Sequence, residues 1–289
     1  MNHLQVPLAA GVWFVGVPIG TARDITLRAL DVLASAEILV AEDTRSLRKL
    51  MEIHGVPLGG RRIEALHDHS KGGVIERLIT RAQGGASVAY ASEAGMPLIA
   101  DPGFELARAA RAADVAVTCA PGPSAVLTAL VVAGLPTDAF HFAGFLPNAT
   151  GARKKALEGL ARIEATLVLY ESPKRVGALM RDAAEVLGGD RQGAVCRELT
   201  KRFEETRRGT LAELSEFYEN TAVKGEVVVL IDRQSGAPVN DLDITSALHS
   251  ALKTMSTKDA AAFVADTLNV PKRQIYQRAL DIARGSPED

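Results

Sequence analysis

The chain has 289 residues, 47% of them hydrophobic and 24% charged, a globular composition that excludes a disordered, collagen-like or coiled-coil protein. Lys plus Arg number 33 against 35 Asp plus Glu, for a formal net charge of −2, which excludes a broad, charge-driven nucleic-acid coat. The two cysteines, Cys119 and Cys196, are too few for a disulfide scaffold and too far apart in sequence for a zinc motif, so a reducing cytoplasm is the expected setting.

In chain order, the short apolar runs Gly11–Val17, Glu37–Ala41, Ala86–Ala91 and Val115–Cys119 are expected as buried strands. The helices expected beside them are Asp24–Ser35, Thr44–Ile53, Lys71–Ala82 and Gly103–Ala113, with Leu27, Leu30 and Leu33 lining one face of the first. Strands alternating with helices point to an α/β domain over residues 1–136 with a largely parallel sheet. Residues 115–137 carry no charge, close to the ~20 residues of a membrane span. Pro121-Gly122-Pro123 interrupts that run, so it reads as a strand, a tight turn and a buried helix. The N-terminus lacks the basic region of a signal peptide, and no membrane partner is expected.

A second series follows over residues 137–234: strands at Ala139–Ala143, Thr166–Tyr170, Ala194–Arg197 and Glu226–Ile231, helices at Arg153–Ala161, Lys174–Leu187 and Leu211–Tyr218. Arg233–Asp241 reads as a linker. Residues 242–289 are expected to be all helical. Ser256 caps a helix through Leu268, Leu268-Asn269-Val270 makes a turn, and Pro271–Ile282 is the next helix, starting on its proline. This helix–turn–helix outline carries Lys272, Arg273, Arg278 and Arg284. It reads either as a helical cap on the second domain or as a nucleic-acid contact.

In open α/β sheets ligands bind beyond the carboxyl ends of strands, so the turns there are informative. Val17-Pro18-Ile19-Gly20-Thr21 has one glycine where a dinucleotide fingerprint needs three. Glu42-Asp43-Thr44-Arg45 groups two carboxylates and an arginine, as a polar site or simply as a helix cap. The loop Ser92–Gly103 is longer than a connection needs and suits a small ligand such as a nucleoside. Pro121-Gly122-Pro123-Ser124-Ala125 lets backbone approach a ligand at a helix start. In the second series Tyr170-Glu171-Ser172-Pro173-Lys174-Arg175 and Arg197-Glu198-Leu199-Thr200-Lys201-Arg202 end strands, and Lys224-Gly225-Glu226 precedes one. His67-Asp68-His69 lacks a third ligand at sensible spacing, so no metal is expected. Cys119, in an apolar strand, reads as core.

These turns, in this order, together with Asp24-Ile25-Thr26-Leu27-Arg28-Ala29-Leu30, Gly134-Leu135-Pro136-Thr137-Asp138 and Gly144-Phe145-Leu146-Pro147, resemble the ribosomal RNA small subunit methyltransferase I family, of the tetrapyrrole methylase fold, from about Gly11 to Ile231. The C-terminal helices resemble the family's extension less distinctively. The resemblance implies a homodimer of two α/β domains with S-adenosylmethionine in the cleft between them. It implies 2′-O-methylation of a cytidine in the decoding region of bacterial 16S ribosomal RNA, on naked RNA or the small ribosomal subunit. Carried over by motif, the cofactor contacts are Pro18, Ser92, Ala94, Gly95, Ile99, Ser124, Ala125 and Tyr170, with Leu199 and Gly225. Three positions depart from the family's pattern. Glu93 stands where it has Asp; Met96 stands where it has Thr and removes a side-chain hydrogen bond; Lys174 stands where it has His and suits phosphate contact.

Such a transfer needs the ribose oxygen held in line with the S–CH₃ bond, and its proton must leave. Glu42, Asp43 and Glu171 are the candidate bases; alternatively they pair with Arg45, Arg175 or Arg197 and only shape the cleft. Residues 151–208 hold 13 Lys and Arg against 9 Asp and Glu, so Arg153, Lys154, Lys155, Lys174, Arg175, Lys201 and Arg202 are the candidate phosphate contacts. Two rivals remain, a tetrapyrrole methyltransferase on the same fold and a non-catalytic nucleic-acid-binding protein.

Overall fold

The computed structural model describes residues 3–66, 73–100, 103–233, 241–268, 270 and 272–283. His67-Asp68-His69, Asp101-Pro102, most of the expected linker, Asn269, Pro271 and Arg284 lie outside the described residues. By contacts the chain divides into two compact units, Met1–Arg233 and Gln234–Asp289.

The first unit holds two five-stranded sheets. The first is built from β1 (Gly11–Val15), α1 (Leu27–Ser35), β2 (Ile38–Ala41), α2 (Thr44–Ile53), β3 (Ile63–Ala65), α3 (Val74–Gln83), β4 (Ser87–Ala91), α4 (Phe104–Ala112) and β5 (Val117–Ala120). Its order is β3-β2-β4-β1-β5 and every pairing is parallel. Both faces are covered, as a parallel sheet requires. Val15, Leu39, Ala41, Ala89 and Ala91 meet Leu30, Leu33, Leu47 and Met51 of α1 and α2. Val12, Phe14, Val40, Val88 and Tyr90 meet Leu78, Ile79, Leu106 and Ala110 of α3 and α4. That double burial is why these strands read as continuous apolar runs.

After α5 (Ala125–Ala133) come β6 (Phe140–Phe145), α6 (Thr150–Leu160), β7 (Thr166–Glu171), α7 (Val176–Leu187), β8 (Gln192–Arg197), β9 (Glu205–Thr210), α8 (Leu211–Glu219) and β10 (Val227–Ile231). The second sheet runs β6-β7-β10-β8-β9, with β6 and β7 parallel and the rest antiparallel. Leu167, Leu169, Val227, Val229 and Ile231 pack on α6 to α8, against Leu157, Leu179, Met180 and Leu214. Val168, Ala194, Cys196, Val228 and Leu230 pack on Val126, Ala129, Leu130 and Ala133 of α5. Thus α5, which follows the first sheet, is buried against the second. Arg208 of β9 fastens its end, donating to the carbonyls of Ala133, at 2.8 Å, and Val132.

Three expectations are corrected. Leu27 is the first residue of α1, after the cap Thr26, and is 63% exposed rather than part of the Leu30–Leu33 face. Cys119 is exposed, because β5 is an edge strand. The interrupted charge-free run is a strand, a turn and α5 as read, yet Leu127 and Val131 of α5 are exposed. Among the described residues no helix is long and apolar enough to cross a membrane.

The second unit contains α9 (Asp241–Ala251), α10 (Thr257–Thr267) and α11 (Lys272–Ala283). Ser256 caps α10 by accepting from the Asp259 N–H. Leu248, Ala260, Val264, Ile275 and Ala279 form its core.

Candidate active site

The carboxyl ends of β1, β4 and β5 face the strand ends of the second sheet across a cavity of about 350 Å³. From the first sheet come Ile19, Ala94, Gly95, Met96, Ile99, Ala100, Ser124 and Ala125; from the second come Phe145, Tyr170, Glu171, Ser172, Pro173, Leu199, Gly225, Glu226, Val227 and Val228. Eight of the ten residues expected to hold the cofactor line it: Ala94, Gly95, Ile99, Ser124, Ala125, Tyr170, Leu199 and Gly225. Pro18 and Ser92 instead line a neighbouring hollow. Ser92 is buried, and its hydroxyl donates within its own loop towards the Ala94 and Gly95 carbonyls.

The walls are held by backbone geometry that few residues tolerate. Gly95 (φ 72°) exchanges two hydrogen bonds with Val17, at 2.9 and 3.1 Å, tying the β4 loop to the β1 turn. Gly225 has φ 86°, and a Cβ there would lie 2.3 Å from the Glu198 carboxylate. Leu98, Ala100, Glu198 and Thr200 have positive φ without being glycine, a strain that gathers at functional loops. Across the cleft, the Thr21 N–H donates to Thr200 Oγ1 at 3.1 Å and the Thr21 hydroxyl to the Thr200 carbonyl. The Met96 sulfur accepts the Gly122 N–H at 3.2 Å. Gly16 and Gly122 pass so close there that a Cβ on Gly16 would sit 2.6 Å from the Gly122 nitrogen.

The candidate carboxylates fall in different places. Asp43 caps α2, accepting from the N–H groups of Arg45 (2.7 Å) and Ser46 (3.3 Å), which hold its carboxyl below the usual range. Glu42 accepts the Glu93 N–H at 3.1 Å and supports the β4 loop. Glu171 lines the cavity, but its buried carboxylate is closed on Arg175, with Nη2 donating at 2.8 Å, and on the Ser172 N–H at 2.7 Å. Neither Glu42 nor Asp43 lines the cavity.

The candidate phosphate contacts divide as well. Arg153 is 2% exposed and locked on Asp182, its Nε donating at 2.7 Å, so it is a core ion pair and not a surface contact. Lys154 pairs with Glu185, Arg175 with Glu171, and Lys201 with Glu198 and Glu226. Lys155, Lys174 and Arg202 are exposed, and among the described residues they make no ion pair. Sequence reasoning passed over Ile19, Phe145 and Val228; the first two lie within the Val-Pro-Ile-Gly and Gly-Phe-Leu-Pro turns already singled out, the third inside a strand with no local signal. Among the described residues no group of three or more His, Cys, Asp or Glu is placed to hold a metal.

The tetrapyrrole (corrin/porphyrin) methylase family matches residues 11–215, and the RsmI C-terminal HTH domain matches residues 238–283. A Mesorhizobium japonicum protein named ribosomal RNA small subunit methyltransferase I is 42% identical over 98% of this chain and 95% of its own. One of the same name from Vibrio cholerae is 40% identical over 97% of this chain and 98% of its own. Among solved structures, the methyltransferase CobJ aligns with a TM-score of 0.60 at 19% identity, over 80% of this chain and 97% of its own. Uroporphyrin-III C-methyltransferase from Thermus thermophilus aligns with a TM-score of 0.55 at 23% identity, over 76% and 94%. The structural likenesses speak for the fold alone; the sequence matches carry the family, and the chain belongs to the ribosomal RNA small subunit methyltransferase I family.

Proposed function

We propose that this chain transfers a methyl group from S-adenosylmethionine to the ribose 2′-hydroxyl of a cytidine in the decoding region of bacterial 16S ribosomal RNA. The observation that carries the reading is the cavity where the two sheets' strand ends meet, together with the shared name of the near-full-length relatives. Its size falls in the range of small-molecule sites. Its apolar walls at Ile19, Ile99, Leu199 and Val228 and its left-handed glycines, Gly95 and Gly225, suit an adenosine-bearing cofactor held by packing and backbone groups. When bound, S-adenosylmethionine supplies a methyl that is already electrophilic on its sulfonium sulfur, which calls for no metal.

The chain's own residues orient the reactants. Holding reacting groups in near-attack geometry is worth ~7–11 kcal/mol, and the Val17–Gly95 and Thr21–Thr200 links fix the two walls that do so. Asp43 and Glu171 are engaged as a cap and an ion pair, which favours a shaping role for both. Glu42 has one oxygen without a hydrogen bond among the described residues but stands outside the cavity lining, and Glu171 is the one candidate carboxylate in that lining, so substitution of each tests which, if either, takes the proton. Lys155, Lys174 and Arg202 are the cations left to meet phosphate from the second sheet's side. We read residues 1–136, 137–234 and 242–289 as three domains working as a homodimer in the cytoplasm, with the exposed apolar face of α5 at Leu127 and Val131 available for the second copy.

The test is incubation with methyl-labelled S-adenosylmethionine and small ribosomal subunits from cells lacking the modification, beside a porphyrinogen. Label in 16S RNA is expected. Label in the porphyrinogen instead points to a tetrapyrrole substrate, and RNA binding with no label anywhere points to a non-catalytic RNA-binding protein.

A further inference from the structure

Beside the cofactor cavity lies a second hollow of about 410 Å³, lined by the β1 turn, the start of the β4 loop and one face of α2. The two spaces share a wall. Along the β1 turn Ile19 faces the cavity while Pro18 and Gly20 face the hollow; along the β4 loop Ala94 and Gly95 face the cavity while Ser92 and Glu93 face the hollow. On α2, Arg45 and Lys49 stand four residues apart and so share a face, and both line the hollow. The Arg45 side chain is 92% exposed, and its one ion pair among the described residues is a loose 3.7 Å contact with Asp43, whose carboxylate already caps the helix. Lys49 is exposed and makes no described ion pair. Pro18, Leu50 and the 54% exposed Ile53 also line the hollow.

We infer that this hollow binds one nucleotide of single-stranded RNA next to the nucleotide that is methylated, with Arg45 and Lys49 on its phosphate and the apolar patch of Pro18, Leu50 and Ile53 under its base or ribose. The inference rests on the RNA reading above and extends it to the first sheet. Two cations and an apolar patch in one hollow match the two parts of a nucleotide, the charged phosphate that basic side chains track and the apolar face of the base. Glu93 also lines the hollow. Its carboxylate repels phosphate, so it marks the end that takes the hydrogen-bond donors of the ribose or base. The shared wall puts a nucleotide held here one step from the cavity where transfer occurs, so the hollow sets which residue of the strand is presented.

The experiment uses the full chain and its Arg45→Ala/Lys49→Ala variant. Both side chains are exposed, so the variant folds as the wild type does. Affinity for a 16S RNA fragment spanning the decoding region is measured at several salt concentrations, affinity for S-adenosylmethionine separately, and label transfer to subunits in parallel. The expected result is about a tenfold loss of RNA affinity, a salt slope smaller by about 0.7 for each single-strand phosphate released, and unchanged cofactor affinity. Unchanged RNA affinity and slope would overturn the inference, and so would loss of cofactor affinity, which would make the hollow part of the cofactor site. If the wild type transfers no label, the functional reading falls on its own, whatever the RNA-binding difference between the two proteins.

Discussion

Arg175 Nη2 donates to Glu171 Oε2 at 2.8 Å, while Arg175 Nε stands 2.7 Å from Oε1 as an ion-pair contact whose N–H is not aimed along the line between them. The Glu171 side chain is fully buried, and Arg175 also donates to the Leu146 carbonyl. The pair therefore joins the end of β7 to the loop after β6 at the cavity wall. Breaking one partner of a buried pair costs about 3–5 kcal/mol. Glu171→Gln is expected to lower stability by about 3 kcal/mol in urea unfolding, and Glu171→Gln with Arg175→Met to lose less than the sum of the single variants. If Glu171→Gln keeps full stability and loses turnover alone, the carboxylate is a base rather than a brace.

Arg153 and Asp182, 2% and 1% exposed, form a second buried pair among the described residues. Arg153→Ala is expected to destabilise the chain by about 3–5 kcal/mol and to leave RNA affinity per folded molecule unchanged. A folded, stable variant with weakened RNA binding would return Arg153 to the surface contacts.

Gly225 sits at φ 86° against Glu198. Gly225→Ala adds a Cβ in a left-handed conformation and drives it into a carboxylate, so cofactor affinity should fall by tenfold or more in calorimetry. Thr200→Ala removes one side-chain hydrogen bond of the Thr21 clasp, worth about 1 kcal/mol, and should weaken cofactor binding about fivefold.

The cluster around Glu198 predicts pH dependence in both directions. The Glu226 N–H, and then the Lys201 ammonium, hold the Glu198 carboxyl below its ordinary 4.5. Its stabilisation is full above that value and is lost as pH falls through the lower folded value. For Lys201, burial alone would lower the value, but hydrogen bonds to Glu226 and Glu198 hold it above 10.5. Its contribution is full below that value and is lost as pH rises through the higher folded one. Unfolding measured against pH should show Glu198→Gln flattening the acid limb and Lys201→Met the alkaline limb.

Much of this was legible in the sequence because burial on both faces makes β1, β2, β4, β7 and β10 continuous apolar runs, and because the cavity is built from turns whose residues are local. What escaped was set by distant partners. β3, a three-residue strand at the sheet edge, and β9, reading Glu-Thr-Arg-Arg-Gly-Thr, carry no apolar pattern. Arg153 looks like one of a surface run until Asp182, 29 positions on, claims it. The basic excess of residues 151–208 likewise marked that segment as the RNA face, yet four of the seven cations named there are spent on carboxylates, and the exposed Arg45 and Lys49 sit on the first sheet's side.

The proposed activity turns on which atom receives the methyl group. After reaction with small subunits and methyl-labelled S-adenosylmethionine, the 16S RNA is digested to nucleosides and resolved by mass spectrometry. A single labelled nucleoside, 2′-O-methylcytidine, from the decoding region is expected. Label on a base, or on a ribose other than cytidine's, would contradict it.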